Sequence, residues 1–184
     1  MRLICYNSLE NSLEAISYSM KHLWSPWRMS YIQNYNRKNE CAFCIELSRP
    51  DGPENLIVHR GQRAFIILNR FPYNSGHLMV VSYEHKSTLD ELDAETRAEI
   101  MELSNLATKA LQAVYNPHGF NLGLNIGETA GAGILEHVHM HILPRWRGDT
   151  NFLSTLDETR VIPEALEETY KRLKEGLEKV LRDS

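Results

Sequence analysis

The run His137-Val138-His139-Met140-His141-Ile142-Leu143 constrains this chain more than any other stretch. Successive side chains of a strand point to opposite faces, so the run reads as a β-strand. His137, His139 and His141 then share one face, and Val138, Met140 and Ile142 pack into a core behind them. Such a strand cannot stand alone: its apolar face needs cover and its edges need partners, which requires a sheet. Three imidazoles in strict alternation point to metal binding or phosphate chemistry rather than to a solvated polar face. Imidazole is both the commonest zinc ligand and a nucleophile near neutral pH, and the row alone does not choose between them.

The rest of the chain supplies the sheet. Leu56-Ile57-Val58 and Ala64 to Leu68 flank the turn residues Arg60-Gly61-Gln62, which predicts a hairpin. His77 to Val81 reads as a third strand, introduced by the breakers Pro72-Tyr73-Asn74-Ser75-Gly76. Asp93 caps a helix in which Ile100, Leu103, Ala107, Ala110, Leu111 and Val114 recur at helical spacing, and Asn116-Pro117-His118-Gly119 ends it. Phe120 to Ile126 and His137 to Leu143 complete five strands. Pro163 sits as the first residue of a last helix over 163–182, with Leu166, Tyr170, Leu173, Leu177 and Val180 on one side. The expected class is α+β: a five-stranded, mostly antiparallel sheet with one long helix and a C-terminal helix.

Residues 1–22 read as a terminal arm, with Met20 as a second candidate start of translation, and residues 23–184 as one domain. Trp24, Trp27, Tyr31 and Tyr35 are dense enough to dock on a core or on a partner subunit. With 184 residues, 42% of them apolar, the chain can bury a sizeable core. A net charge of −4 with interspersed signs argues against a protein that coats nucleic acid. No apolar run approaches the roughly 20 residues of a membrane span, and the first six residues turn polar too soon for a signal peptide. A cytoplasmic protein with no nucleic-acid or membrane partner is expected. In a reducing compartment Cys41-Ala42-Phe43-Cys44 reads as half of a zinc site or as a redox pair, while Cys5 is an incidental thiol.

The triad run, continuing through Pro144-Arg145, resembles the histidine-triad (HIT) proteins and within them the fragile-histidine-triad branch. Leu68-Asn69-Arg70-Phe71-Pro72, followed by Gly76-His77-Leu78-Met79-Val80, resembles the family's ribose-binding segment. Asn125 precedes the loop Gly127 to Gly133, where the family places an amide on phosphate. Trp24-Ser25-Pro26-Trp27-Arg28, Cys41-Ala42-Phe43-Cys44 and the run from Pro144 to Phe152 look like the bacterial branch related to diadenosine tetraphosphate phosphorylases. The motif-bearing core spans 41–152. Gly131-Ala132-Gly133-Ile134 departs from branches that place Gln or Ser there, although the loop's backbone N–H groups can approach phosphate closely.

The resemblance implies a nucleotidyl hydrolase or transferase acting on adenosine nucleotides such as diadenosine polyphosphates. His139 would attack the α-phosphorus and carry the nucleotidyl group. His141, His77 and Asn125 would donate to phosphate oxygens, aided by backbone near Gly133. Asn69 would hold the ribose, and Phe43 and Leu68 would wall the base. It also implies a structural zinc held by Cys41, Cys44, His85 and His137, and a homodimer pairing the helix 93–115 and the strand 120–126 with their copies. His22, His59 and His118 read as surface residues. Two alternatives stand beside this: a metal-dependent phosphohydrolase whose three triad histidines hold a catalytic ion, and a purine-nucleotide-binding module with little turnover. No carboxylate stands at ligand spacing to support the first, and Glu136 points away from His137's face. Water and phosphate both remain open as acceptors.

Overall fold

The computed structural model describes residues 41–149 and 164–183. Its five strands are β1 (Ile57–Arg60), β2 (Ala64–Leu68), β3 (Leu78–Ser82), β4 (Gly119–Leu124) and β5 (His139–Arg145). They form one open sheet in the order β1-β2-β3-β5-β4, every neighbouring pair antiparallel. This order positions the site. The last strand inserts beside β3, setting Met79 opposite His141 and Val81 opposite His139. β2 and β3 are buried at every position, as their unbroken apolar runs require.

Three helices accompany the sheet: α1 (Ala42–Leu47), α2 (Ala94–Tyr115) and α3 (Leu166–Arg182). The Asp93 carboxylate caps α2 by accepting the Thr96 N–H at 2.6 Å, and Asn116 ends it in the left-handed conformation at φ 46°. Ile100, Leu103, Ala107, Ala110 and Leu111 form the buried stripe that packs across β2, β3 and β5. One contact across the fold was not visible in the pattern. Glu99 of α2 accepts the Gln62 and Arg63 N–H groups at 2.6 and 2.7 Å, pinning the β1–β2 turn to the helix. Gly76 feeds the chain into β3 at φ 74°, with Leu111 only 2.9 Å from where a Cβ would stand, so both conformation and space ask for glycine there.

Several boundaries differ from expectation. β4 begins at Gly119 and stops before Asn125 and Ile126. β5 begins at His139, because the preceding backbone turns aside to bond elsewhere: the Val138 N–H donates to the Lys86 carbonyl at 2.7 Å. The last helix starts at Leu166 rather than at 163. Glu164 lies in a bend ahead of it, its carboxylate taken up by the Thr169 hydroxyl, the Tyr115 hydroxyl and Arg172, and Thr169 N–H closes the first turn on the Ala165 carbonyl. β1 carries a bulge between Ile57 and His59, which leaves His59 half-buried rather than on the surface. Pro163, the arm over 1–22 and the aromatics from Trp24 to Tyr35 lie outside the described residues. Among those described, no helix is long and apolar enough to cross a membrane.

Candidate active site and metal-ligand cluster

His139 lies on β5 between two other rings, the Phe43 ring centre at 5.0 Å and that of His141 at 4.8 Å. Its Nδ1 is 2.8 Å from the carbonyl oxygen of His137. A carbonyl can only accept, so the ring hydrogen sits on Nδ1 and Nε2 presents a lone pair. Only 5% of the residue is exposed, and this burial holds its pKa below the ordinary imidazole value, opposed in part by the bond to the His137 carbonyl. The ring is therefore neutral near pH 7, as a nucleophile must be.

His141 is governed by His77, whose rings lie 5.1 Å apart. His77 stands just before β3 and is fully buried. Its Nδ1 faces the Tyr73 backbone N–H at 3.1 Å and the Asn69 side-chain nitrogen at 3.2 Å. An amide can only donate, so His77 Nδ1 carries no hydrogen. Its Nε2–H donates to His141 Nδ1 at 2.9 Å, which leaves the His141 hydrogen on Nε2. The Tyr73 ring lies against both imidazoles, at 4.7 and 5.9 Å. Burial, followed by the neighbouring His141 and His139, pushes the His77 pKa down to about 3.

These bonds correct the role expected of His77. With no exposed surface and both ring nitrogens engaged within the protein, it does not face a phosphate oxygen; its Nε2 bond runs to His141 instead. Asn69 is tied into the same arrangement, since its Oδ1 accepts the Phe71 N–H at 2.9 Å while its nitrogen serves His77. Asn125 closes the following loop on the Gly131 carbonyl at 3.5 Å, and Gly133 is exposed within that loop. Leu68 is buried in β2, and Phe43 is buried beside the triad. Tyr73 was missed by sequence reasoning. Its signal was the turn Pro72 to Gly76 immediately before His77, where backbone amides are left without ladder partners.

At the other end of the row the chain builds a second cluster. Cys41 precedes α1 and its carbonyl accepts the Ile45 N–H, so Cys41 and Cys44 fall on one side of the first turn. The ligand atoms of Cys41, Cys44, His85 and His137 all lie within 4.8 Å of one another. Cys41 Sγ is 3.3 Å from His137 Nδ1, and Cys44 Sγ is 3.3 Å from His85 Nδ1 and 3.9 Å from His137 Nδ1. A tetrahedral zinc with the usual bond lengths needs sulfur–nitrogen edges of about 3.5 Å. His137 Nε2–H donates to the Ser82 carbonyl at 2.9 Å, so its Nδ1 offers a lone pair to the cluster. Burial pushes the Cys41 thiol up to about 11 and His137 down to about 4. A buried thiol beside a buried neutral imidazole is what a bound cation would convert to a thiolate ligand set. The cluster could hold a metal ion, and it does not include His139. The three triad rings turn to three different partners and do not converge on one ion.

A five-stranded antiparallel sheet whose inserted strand carries alternating histidines, the middle one with its Nδ1 held at a backbone carbonyl, defines a class: the HIT domain matches residues 51–148, and the chain belongs to the HIT family. It is a nucleotide-processing enzyme of that family. Among its relatives is an AP-4-A phosphorylase of Mycobacterium tuberculosis, 38% identical over 161 residues, covering 84% of this chain and 83% of that one. A hypothetical histidine triad nucleotide-binding protein from Sulfolobus tokodaii superposes with a TM-score of 0.64 at 28% identity, over 78% of this chain and 95% of that one. A zinc-bound histidine triad family protein from Mycobacterium smegmatis has the same fold, with a TM-score of 0.64 at 24% identity, over 79% of this chain and 98% of that one.

Proposed function

We propose that this enzyme transfers adenylyl groups from diadenosine polyphosphates through a covalent nucleotidyl-imidazole on His139. The observation that carries the reading is the 2.8 Å bond from His139 Nδ1–H to the His137 carbonyl, which leaves Nε2 as the attacking atom. Nε2 bonds to the α-phosphorus, the bond to the bridging oxygen breaks, and water or inorganic phosphate then takes the group from the ring. His141 donates its Nε2–H to a phosphate oxygen as charge builds. Asn125 and the backbone around Gly133 hold phosphate, Asn69 meets the ribose, and Phe43 and Leu68 wall the base. The name of the M. tuberculosis relative supports diadenosine tetraphosphate as substrate. Mass spectrometry after incubation with diadenosine tetraphosphate, under a non-acidic quench, tests this. An adenylyl adduct on His139, absent from His139→Ala, is expected; full turnover in that variant would overturn it.

Zinc at Cys41, Cys44, His85 and His137 belongs to the same proposal. It would be structural, supplying a fixed positive centre that ties α1 to the start of β5. A homodimer is proposed as well. It is supported by the open edge of β4 and by exposed Leu122, Ile126 and Met101 on the elements expected to pair. Sedimentation at micromolar concentration should give twice the chain mass; a mass near 21.2 kDa, stable to dilution, would sink the dimer.

A further inference from the structure

We infer that Cys41 and Cys44 form a site of reversible oxidation by hydroperoxides: Cys44 reacts first, Cys41 closes a disulfide onto it, and the seat of His139 shifts. The inference rests on the zinc reading above, because the same two sulfurs would hold the metal, and on the His139 reading for its effect on transfer.

A fully buried cysteine is inert toward oxidants in solution, whereas an accessible one with a second thiol close by is the arrangement of redox sensors. The Cys41, Cys44, His85 and His137 cluster is split in this respect. Cys41 and His137 are buried, while Cys44 and His85 are exposed. Cys44 therefore meets the oxidant, and Cys41 stands behind it on the same side of the first turn of α1, with the two Sγ atoms within 4.8 Å of each other. Residues three apart on a helix have Cβ atoms about 5–6 Å apart. A disulfide needs about 3.5–4.5 Å, so the bridge forms only as that first turn tightens. Phe43 sits between the two cysteines and moves with the turn, and its ring centre lies 5.0 Å from that of His139 and 5.4 Å from that of His137. Both sulfurs also change place against His137 Nδ1, now 3.3 and 3.9 Å from them. The carbonyl of that same residue accepts the His139 Nδ1–H at 2.8 Å. Oxidation thus disturbs two supports of His139 together: the ring packed beside it, and the anchor of the residue that fixes its hydrogen.

The chemistry takes two steps. First the Cys44 sulfur attacks one peroxide oxygen and the oxygen–oxygen bond breaks. The departing oxygen leaves as water, or as an alcohol from an organic hydroperoxide. It takes its hydrogen from the thiol or, where the sulfur is already ionised, from solvent. Cys44 is left as a sulfenic acid. Then the Cys41 sulfur attacks the Cys44 sulfur, the sulfur–oxygen bond breaks, and the hydroxyl leaves as water with a hydrogen from the same sources. The two sulfurs have together given two electrons to one peroxide. Thiolates ligate metal ions and disulfide sulfurs do not, so the oxidised pair holds no ion until a thiol reductant reopens it.

The full chain carrying Cys5→Ser, so that this third thiol takes no part, should be loaded with zinc and treated with hydrogen peroxide. Zinc should be released to a metallochromic dye, and peptide mapping should find Cys41 bridged to Cys44. Transfer from diadenosine tetraphosphate should fall tenfold or more, since misplacing a reacting atom by about 1 Å costs on the order of 10²-fold. A thiol reductant with added zinc should restore both. In Cys41→Ser the Cys44 sulfenic acid should persist and be trapped by dimedone, whereas Cys44→Ser should trap nothing. Zinc retained after peroxide, Cys44 driven to sulfinic acid without a bridge, or a bridged enzyme as active as the reduced one would each overturn the inference. A reduced enzyme that takes up no zinc would instead sink the zinc reading, and one that forms no nucleotidyl-His139 the reading of the nucleophile. Both are measured before peroxide is added, so the failures are distinguishable.

Discussion

At one end of the histidine row, His137 gives its Nε2 hydrogen to the Ser82 carbonyl and turns a bare Nδ1 toward Cys41 and Cys44. At the other end, His141 receives a hydrogen at Nδ1 from His77 and keeps its own on Nε2. Between them His139 follows the first pattern, with its lone pair on Nε2 because Nδ1–H is bound to a carbonyl. The residue type is the same throughout; the polarity of the fixed partner differs. Backbone carbonyls produce rings that offer lone pairs, suited to a metal or to a phosphorus atom. A backbone amide, acting through His77, produces a ring that offers a hydrogen, suited to an anion. The position of each ring hydrogen is thus set by main-chain geometry.

The sharpest way to break this comparison is at its centre. His139→Ala should lower kcat on the order of 10⁴-fold or more, because the intermediate has nowhere to form, while nucleotide affinity stays within about tenfold. Comparable losses in both kcat and affinity would mean that His139 serves binding rather than attack. The next largest effect belongs to the lone-pair end. Elemental analysis should find one zinc per chain, and Cys41→Ser should lose it. With several kcal/mol of binding energy withdrawn from the folded state, the melting temperature should fall by roughly 6–12 °C. A metal-free wild type whose Cys44 alkylates readily in the native state would remove the metal from the account.

The hydrogen-donating end predicts a smaller, pH-dependent effect. His77 has a folded pKa near 3 and an ordinary unfolded one, so the unfolded chain binds the extra proton as pH falls. Its contribution to stability is complete above about pH 6.5 and is lost progressively as pH drops toward 3, on the order of 2 kcal/mol between pH 7 and pH 5. Urea denaturation of wild type and His77→Asn across that window should show a shallower acid loss in the variant. Parallel curves would mean that His77 is not held neutral by the fold.

Much of this was legible before any coordinates. Alternation in residues 137–143 placed the histidines, Asp93 and Asn116 marked the ends of α2, and the Cys41–Cys44 pair with His85 and His137 came together as a cluster. What escaped was the place of His77. That His77 would spend both nitrogens inside the protein depends on the turn at Tyr73 returning its amide to the ring. Spacing reports which residues share a face and is silent on backbone hydrogens that fold back from four residues away. The same blindness moved the start of α3. Pro163 is a fitting first helical residue by propensity, but the Glu164 carboxylate answers to Tyr115 and Arg172, partners distant in sequence or visible only once the helix is formed.

The mildest test separates main chain from side chain at Tyr73. Its ring packs on His77 and His141, whereas its backbone N–H fixes the His77 tautomer. If main-chain geometry sets the roles, Tyr73→Leu removes the ring contacts and keeps the hydrogen that matters. Aromatic pairs contribute about 0.5–1.5 kcal/mol beyond simple burial, so stability should drop by about 1 kcal/mol and kcat should stay within about threefold of wild type. The nitrogen-15 signature of His141 should not change at all. A tenfold fall in kcat accompanied by an altered His141 tautomer would show that the ring, and not the amide, holds the pair, and the contrast between the two ends would then rest on side-chain packing.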